Sequence, residues 1–168
     1  MATVSIALSP GDAALPTSNP AAPVQPQGTN FPVPGLAFDG TTQETAYFYF
    51  PAISYGSGNV SVEVEWYADS GTTDAITFGA SLAAITPNTD TTDIETKAFA
   101  TENTASDSHL GTTAQRLHSF TITVSNLDSL AAGDWVCLRL RRVPADGGDT
   151  MTGIDAIVTR VIVSYSDT

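Results

Sequence analysis

Basic residues are almost missing from the first half of this chain. No Lys or Arg precedes Lys97, whereas ten Asp and Glu do, and the 168 residues carry a formal charge of −12. Such a surface repels phosphate backbones and anionic lipid, which argues against nucleic-acid binding and against docking on a membrane. It suits solubility, a saline medium or a basic protein partner. Cysteine is nearly absent too: Cys137 stands alone, so no internal disulfide can form, and its apolar surroundings in sequence make a buried, inert thiol the expectation. No apolar run approaches the ~20 residues of a membrane-spanning helix. The N-terminus has neither the basic start nor the long apolar core of a signal peptide, so the expectation is a chain made in a cytoplasm that keeps its first residues. No catalytic residue is singled out, because the motifs of the common hydrolases, zinc proteases, dinucleotide-binding proteins and P-loop proteins do not occur. No cofactor is expected.

What the chain does contain is alternation. Asn59–Tyr67 reads NVSVEVEWY, with Val60, Val62, Val64 and Trp66 on one parity and Ser61, Glu63, Glu65 and Tyr67 on the other. A strand sends successive side chains to opposite faces, so this stretch is a one-sided strand about 30 Å long that needs a second sheet to cover it. Thr45–Phe50 is an aromatic strand ended by Pro51. Ala75–Leu82 alternates Ile76, Phe78, Ala80 and Leu82, with a kink expected at Gly79. Ile94–Ala100, Arg116–Ser125, Trp135–Val143 and Ile154–Tyr165 complete the set, and Thr101–Thr113 reads as a polar surface excursion. The fold class is therefore all-β: a β-sandwich of jelly-roll type with about seven or eight strands over residues 41–168.

Residues 1–40 differ. Seven of the ten prolines lie here. Proline fixes φ, removes a donor and drives the preceding residue to extended geometry, so this segment is expected as an extended N-terminal arm. Val4, Ile6 and Leu8 alternate and suit addition to a sheet edge. Phe31, Val33, Leu36 and Phe38 are apolar anchors for the domain or for a neighbour.

Several side-chain sets carry possible chemistry. Glu63 and Glu65 share a strand face at a spacing that glycosidases use, although a solvated sheet face has the same pattern. Tyr47, Tyr49 and Tyr67 offer faces on which sugars stack. Asp146, Asp149 and Asp155, in and near the loop ADGGDT, are oxygen ligands of the type Ca²⁺ takes, but the EF-hand spacing is missing. His109 and His118 are too far apart for a metal pair on one strand or helix. Arg139, Arg141, Arg142 and Arg160 hold four of the six positive charges and read either as strand-face charge or as interface cations.

The segments ETAYFYFPA (Glu44–Ala52), NVSVEVEWYADSGTTDAITFGASLAAI (Asn59–Ile85) and GDWVCLRLRRVPADGGDTMTGIDAIVTRVIVSY (Gly133–Tyr165) together resemble a family of virion structural proteins from tailed phages. Gly133, Asp134, Val136, Arg139 and Arg142 fit that family's G-D-x-V-x-x-R-x-x-R strand. The resemblance covers about three quarters of the chain and stops short of residues 1–43. It implies a non-enzymatic β-sandwich on the outer surface of a phage particle. Within that family the reading favours a capsid-decorating protein, often trimeric, that grips the major capsid protein or another virion protein, and itself, through an N-terminal arm. On that reading Val4, Ile6, Leu8, Phe31 and Phe38 anchor the arm, and Arg139, Arg141 and Arg142 are interface cations. The alternatives are a head or tail fibre protein, or a receptor-binding carbohydrate-binding module.

Overall fold

The computed structural model describes residues 2–111 and 113–168. Ten strands run through it: β1 (Thr3–Leu8), β2 (Ala22–Val24), β3 (Gly35–Phe38), β4 (Thr45–Pro51), β5 (Ser57–Ala68), β6 (Ala75–Ile85), β7 (Asn103–Ser108), β8 (His118–Val124), β9 (Trp135–Arg142) and β10 (Ala156–Ser166). They form a six-stranded sheet in the order β2-β3-β10-β5-β8, with β1 also on β10, and a four-stranded sheet in the order β4-β9-β6-β7. The two sheets face each other as a β-sandwich of jelly-roll type, as the alternation predicts.

The alternating stretch is central. β5 lies between β10 and β8, and Val60, Val62, Val64 and Trp66 are wholly buried against the facing sheet. From that sheet Phe48, Phe78, Leu82, Leu138 and Leu140 meet them in one continuous core. Each large side chain so buried contributes about 1.5–3 kcal/mol before chain entropy is subtracted.

The N-terminal residues depart from the expectation of a separate arm. β1 pairs with β10 over six residues, from Thr3↔Ser166 to Leu8↔Val161, and β3 takes the same edge of β10 farther along, from Ala156 to Val158. Leu8, Ala21, Leu36 and Phe38 are buried in the chain's own core, and Val4 and Ile6 pack against it. Residues 14–21 then cross to the other sheet and cap the open edge of β4. Ala14 and Tyr47 exchange backbone hydrogen bonds at 2.8 and 2.9 Å, and the Thr45 carbonyl accepts from the Ala21 N–H at 3.0 Å. An uncovered strand edge invites pairing with another chain, and this segment removes that hazard. The segment is extended only in pieces, broken by a 3-10 turn at Pro10–Asp12 and by the turn closed from Val33 to Pro26, and the edges it joins are those of its own chain. Residues 1–40 and 41–168 are thus parts of one domain.

Two smaller expectations are also corrected. The chain between β6 and β7, including residues 94–100, forms no strand; the strand is β7, within the supposed polar excursion. Its small polar side chains alternate between half-buried and exposed at the end of the four-stranded sheet. Gly79 does not kink β6, which keeps register with both neighbours there. A Cβ on Gly79 would lie 2.3 Å from the Glu102 carboxylate carbon. The glycine makes room for that carboxylate, which pairs with Arg141 and lies 3.8 Å from the Arg139 guanidinium.

Candidate functional site

β5 carries Tyr67 on its outward parity, yet the residue is only 6% exposed. The cover comes from two loops that rise on either side of the outer face of the six-stranded sheet. Residues 25–34 make one wall. Their turn closes through the Val33 N–H donating to the Pro26 carbonyl at 2.9 Å. Gly28 holds a left-handed φ of +48° with its Cβ position 2.5 Å from the Phe31 carbonyl oxygen, so only glycine fits that corner. Phe31 stands at the lip, 68% exposed. Gln115 and Leu117 make the opposite wall, where the Gln115 side-chain amide donates to the Asp69 carbonyl at 2.8 Å. Between the walls lies a groove of about 670 Å³ floored by Tyr67, Ile157 and Thr159.

The floor has a local cause. Pairing between β10 and β5 slips between Val158 and Arg160, leaving Thr159 as an extra residue in β10. A bulge of this kind re-aims side chains, and Thr159 Oγ1 donates to the Glu65 carbonyl at 3.3 Å. Ala37, Tyr67 and Ile157 form a second, small apolar cluster with Val24 and Val33, separate from the main core. The groove is mostly apolar, with Asp69, Gln115 and Thr159 as polar exceptions. Burial, and then the Asp69 charge, push the Tyr67 phenol above its ordinary value, so it stays protonated as a donor. Among the described residues the Tyr67 hydroxyl has no hydrogen-bond partner within the chain.

The same sheet face continues along β5 as a polar strip. Glu65 is held by the Arg160 guanidinium in a two-pronged pair, and Glu63 accepts from Ser119 Oγ at 2.5 Å. Both carboxylates considered as a glycosidase pair are therefore engaged, and they lie beside the groove rather than in it.

The three tyrosines do not converge. Tyr47 and Tyr49 sit on the outer face of the other sheet. There Tyr49 stacks on Trp135 at 5.2 Å, Tyr47 leans on Phe99 at 5.8 Å, and the Arg139 guanidinium lies 4.8 Å over the Phe99 ring. Each of these contacts covers one ring face, and Tyr49 remains 44% exposed. Cys137 lies among them, its thiol pushed up to about 11 by burial, which keeps it protonated and unreactive at neutral pH.

The calcium candidates are occupied or apart. Asp149 makes a bidentate pair with Arg142, at 2.9 Å on each oxygen, and Asp146 Oδ1 accepts from the Gly148 N–H at 2.8 Å. Asp155 faces different carboxylates; burial, then Asp69 and Asp39, raise its proton affinity. Among the described residues no group of three or more His, Cys, Asp or Glu is placed to hold a metal ion.

The partner-binding candidates are largely spent inside the chain. Arg142 is wholly buried, and Arg139 and Arg141 lie against Glu102. Leu8 and Phe38 are core residues, with Val4 and Ile6 packed on them. Of the five proposed anchors, Phe31 keeps an exposed face, and it borders the groove.

His109 and His118 do meet in space, although too far apart in sequence for a metal pair on one strand or helix, and are 3% and 7% exposed. Their rings lie 4.6 Å apart, and His118 stacks on Trp66 at 4.9 Å. Trp66 Nε1 donates to Asp107 Oδ2 at 2.9 Å. Burial first, then the neighbouring His109, hold the His118 pKa below the usual imidazole range against the pull of Asp107. Parity gave one signal for this: His118 shares the inward parity of β8 with Phe120, Ile122 and Val124.

No family model and no curated protein matches the chain. Solved structures with a similar fold include a family 11 carbohydrate-binding module from Clostridium thermocellum in complex with a mixed-linked tetrasaccharide. It is 10% identical, covering 96% of this chain and 87% of that one, with a TM-score of 0.47. A family 36 carbohydrate-binding module in complex with calcium and xylotriose is 10% identical over 94% of this chain and 98% of that one, at 0.47. A chain of infectious bursal disease virus is 11% identical over 97% of this chain and 32% of that one, at 0.42.

Proposed function

We propose that this protein is a carbohydrate-binding β-sandwich that takes a neutral oligosaccharide in the groove over Tyr67. One observation carries the reading: a preformed groove of about 670 Å³ with an aromatic floor and an exposed aromatic lip. Ligand sites are concave and mostly apolar, with a few placed polar groups that fix orientation. Asp69, Gln115, Thr159 and the Tyr67 hydroxyl supply those groups, and Phe31 supplies a ring that a pyranose can lie on. The net charge of −12 favours a neutral chain over an anionic one. A module of this kind needs no catalytic residue, and the neighbouring carboxylates already have partners.

Decoration of a capsid through a free arm has less support, because Val4, Ile6, Leu8 and Phe38 pack in or on the chain's own core, while Phe31 keeps an exposed face. A receptor-binding role on a particle surface is compatible with the groove.

Calorimetry against a panel of soluble neutral oligosaccharides tests the proposal. Phe31→Ala is expected to weaken binding roughly tenfold or more while leaving the fold intact, since the side chain is exposed. Tyr67→Phe is expected to weaken it less, by the loss of one hydrogen bond of about 1 kcal/mol. Absence of binding across the panel, or unchanged affinity in Phe31→Ala, removes the assignment.

A further inference from the structure

The two flanks of the sandwich are finished differently. On one flank residues 14–21 cap β4, and the six-stranded sheet ends on β2, which is three residues long with Pro23 at its middle. A short end strand and a proline both discourage pairing with another chain. The other flank is bare. β8 ends the six-stranded sheet there, and β7, the end of the other sheet, lies beside it, where the Asn103 side-chain amide donates to Ser125 Oγ at 3.2 Å. β8 pairs with β5 along one edge, and among the described residues nothing pairs with the other. Alternate residues of a strand turn their N–H and C=O to the same side, so about half of β8 presents these groups to the open edge.

β8 also lacks the guards that end strands carry. It reads HSFTITV, with no Lys, Asp, Glu or Pro, and its pairing with β5 runs in unbroken register without a bulge. Phe, Thr, Ile and Val, the residues that fill strands, make up most of it. Of its inward residues His118, Phe120, Ile122 and Val124, Phe120 alone is left half-buried.

We propose that β8 is the seam of a symmetric dimer: β8 of one copy pairs antiparallel with β8 of a second about a two-fold axis at Thr121, and the two six-stranded sheets run on as one.

The edge fits itself. Centred on Thr121, the register sets Phe120 beside Ile122 of the second copy, an aromatic and β-branched pair that covers the open side of Phe120. On the outward face it sets Ser119 opposite Thr123, and Thr121 opposite Thr121. Pairs of these kinds favour a sheet, and no like charges meet. Net charge is the opposing term, since each copy carries −12. Glu63 and Glu65 stand one strand in from the seam, on β5. Across it, β5 of one copy lies three strand spacings from β5 of the other, roughly 14 Å. That exceeds the Debye length of about 8 Å at physiological salt, so the repulsion is screened while the pairing is local. β1 is the other uncharged end strand. Pairing β1 of one copy with β8 of the next would leave a bare edge at every step and propagate, whereas the β8 seam uses one edge twice and closes.

A two-fold axis that relates antiparallel neighbours stands perpendicular to the sheet, so both copies turn the same face to the same side. The two grooves over Tyr67 then open in one direction. Leu117 lines the groove and immediately precedes β8. The grooves therefore lie near opposite ends of the seam, offset by about eight residues of strand, roughly 27 Å. One long glycan or glycan-coated surface engages both, and avidity multiplies the affinity of a single groove. This consequence rests on the groove being the binding site; the dimer does not.

Sedimentation equilibrium of the full chain tests the seam without any variant. Twice the mass of one chain is expected, with the dimer gaining as salt rises from about 0.05 to about 0.5 M, because salt screens the repulsion between the copies. Cysteine substitution reads the register. Thr121 meets its own copy at the axis, so Thr121→Cys is expected to cross-link two chains under mild oxidation, visible on a non-reducing gel. Thr123 meets Ser119 instead, so Thr123→Cys is expected to cross-link roughly tenfold less or not at all. Both threonines are exposed, so neither change touches the core, and Cys137 is buried and does not compete. A monomer at both salt concentrations overturns the seam. So does an assembly that grows beyond two copies, or a dimer in which Thr123→Cys cross-links as readily as Thr121→Cys. Where a glycan binds, immobilised polysaccharide is expected to hold the dimer roughly a hundredfold more tightly than a short oligosaccharide does, and equal affinities overturn the two-groove consequence. If the dimer forms in this register and no oligosaccharide binds, the glycan assignment falls and the dimer stands.

Discussion

Replacing Arg142 with alanine is expected to cost about 3–5 kcal/mol, the penalty for leaving one member of a buried ion pair behind. That is a large share of the 5–15 kcal/mol typical of a whole domain, and at this chain length it corresponds to a fall of about 6–20 °C in melting temperature. The guanidinium is 0% exposed and its partner Asp149 1%. All five of its donors are used. Two go to the Asp149 carboxylate, two to the carbonyls of Phe38 and Ile154 at 3.2 and 2.7 Å, and one to the Met151 carbonyl at 2.6 Å. One side chain therefore ties the end of β9 to β3 and to the long loop before β10. Arg142→Lys keeps the charge but has three donors and no planar fork, so it should recover only part of the loss. Asp149→Asn should cost a similar amount to Arg142→Ala, since it strands the cation. The double substitution Arg142→Met, Asp149→Leu should be milder than either removal alone, because an apolar pair leaves no orphaned charge. Urea and thermal denaturation of the four variants check the set. Single-variant losses under about 1 kcal/mol would show that the pair is not the pin described here.

Arg142 also shows what sequence reading can and cannot reach. Val136, Leu138 and Leu140 are legible as an inward face, and Arg142 continues their parity into the core. The signal was present, but a strand ending in three cations among four residues reads as a charged surface, because charge is the stronger prior. β5 was legible for the opposite reason: its charges and its apolar residues fall on separate parities with no conflict. β7 was not, since NTASDS has no apolar side to bury and is held by its ladder to β6 rather than by a pattern of its own. The groove lay beyond any local pattern. Phe31, Tyr67, Leu117 and Ile157 come from four distant stretches, and only the sheet order brings them together. The same limit applies to the first residues. Val4, Ile6 and Leu8 alternate as a strand should, but which edge such a strand joins, and where the chain turns between β1, β2 and β3, are properties of the whole fold.

Deleting residues 1–38 is accordingly expected to abolish folding rather than merely binding. The deletion strips Leu8, Leu36 and Phe38 from the core, worth about 1.5–3 kcal/mol each, and so about 5–9 kcal/mol together before the pairing with β10 is counted. That approaches or exceeds the stability of a typical domain. It also uncovers the edge of β10 along nearly its whole length and the edge of β4, and it removes the Phe38 carbonyl from Arg142. Long bare edges with apolar faces pair with one another, so the truncated protein should appear in the insoluble fraction, or in solution without a cooperative melt. Removal of residues 1–8 alone is the graded control. It takes away β1 and Leu8 and leaves β3 in place, so that variant should fold with a lowered melting temperature. A gripping arm predicts the reverse order of effects: a 1–38 deletion that stays soluble, melts as the full chain does and fails only to bind its partner. Circular dichroism melts of the two truncations separate these outcomes, because a strand of the sandwich and a strap on its neighbour differ in whose core they complete.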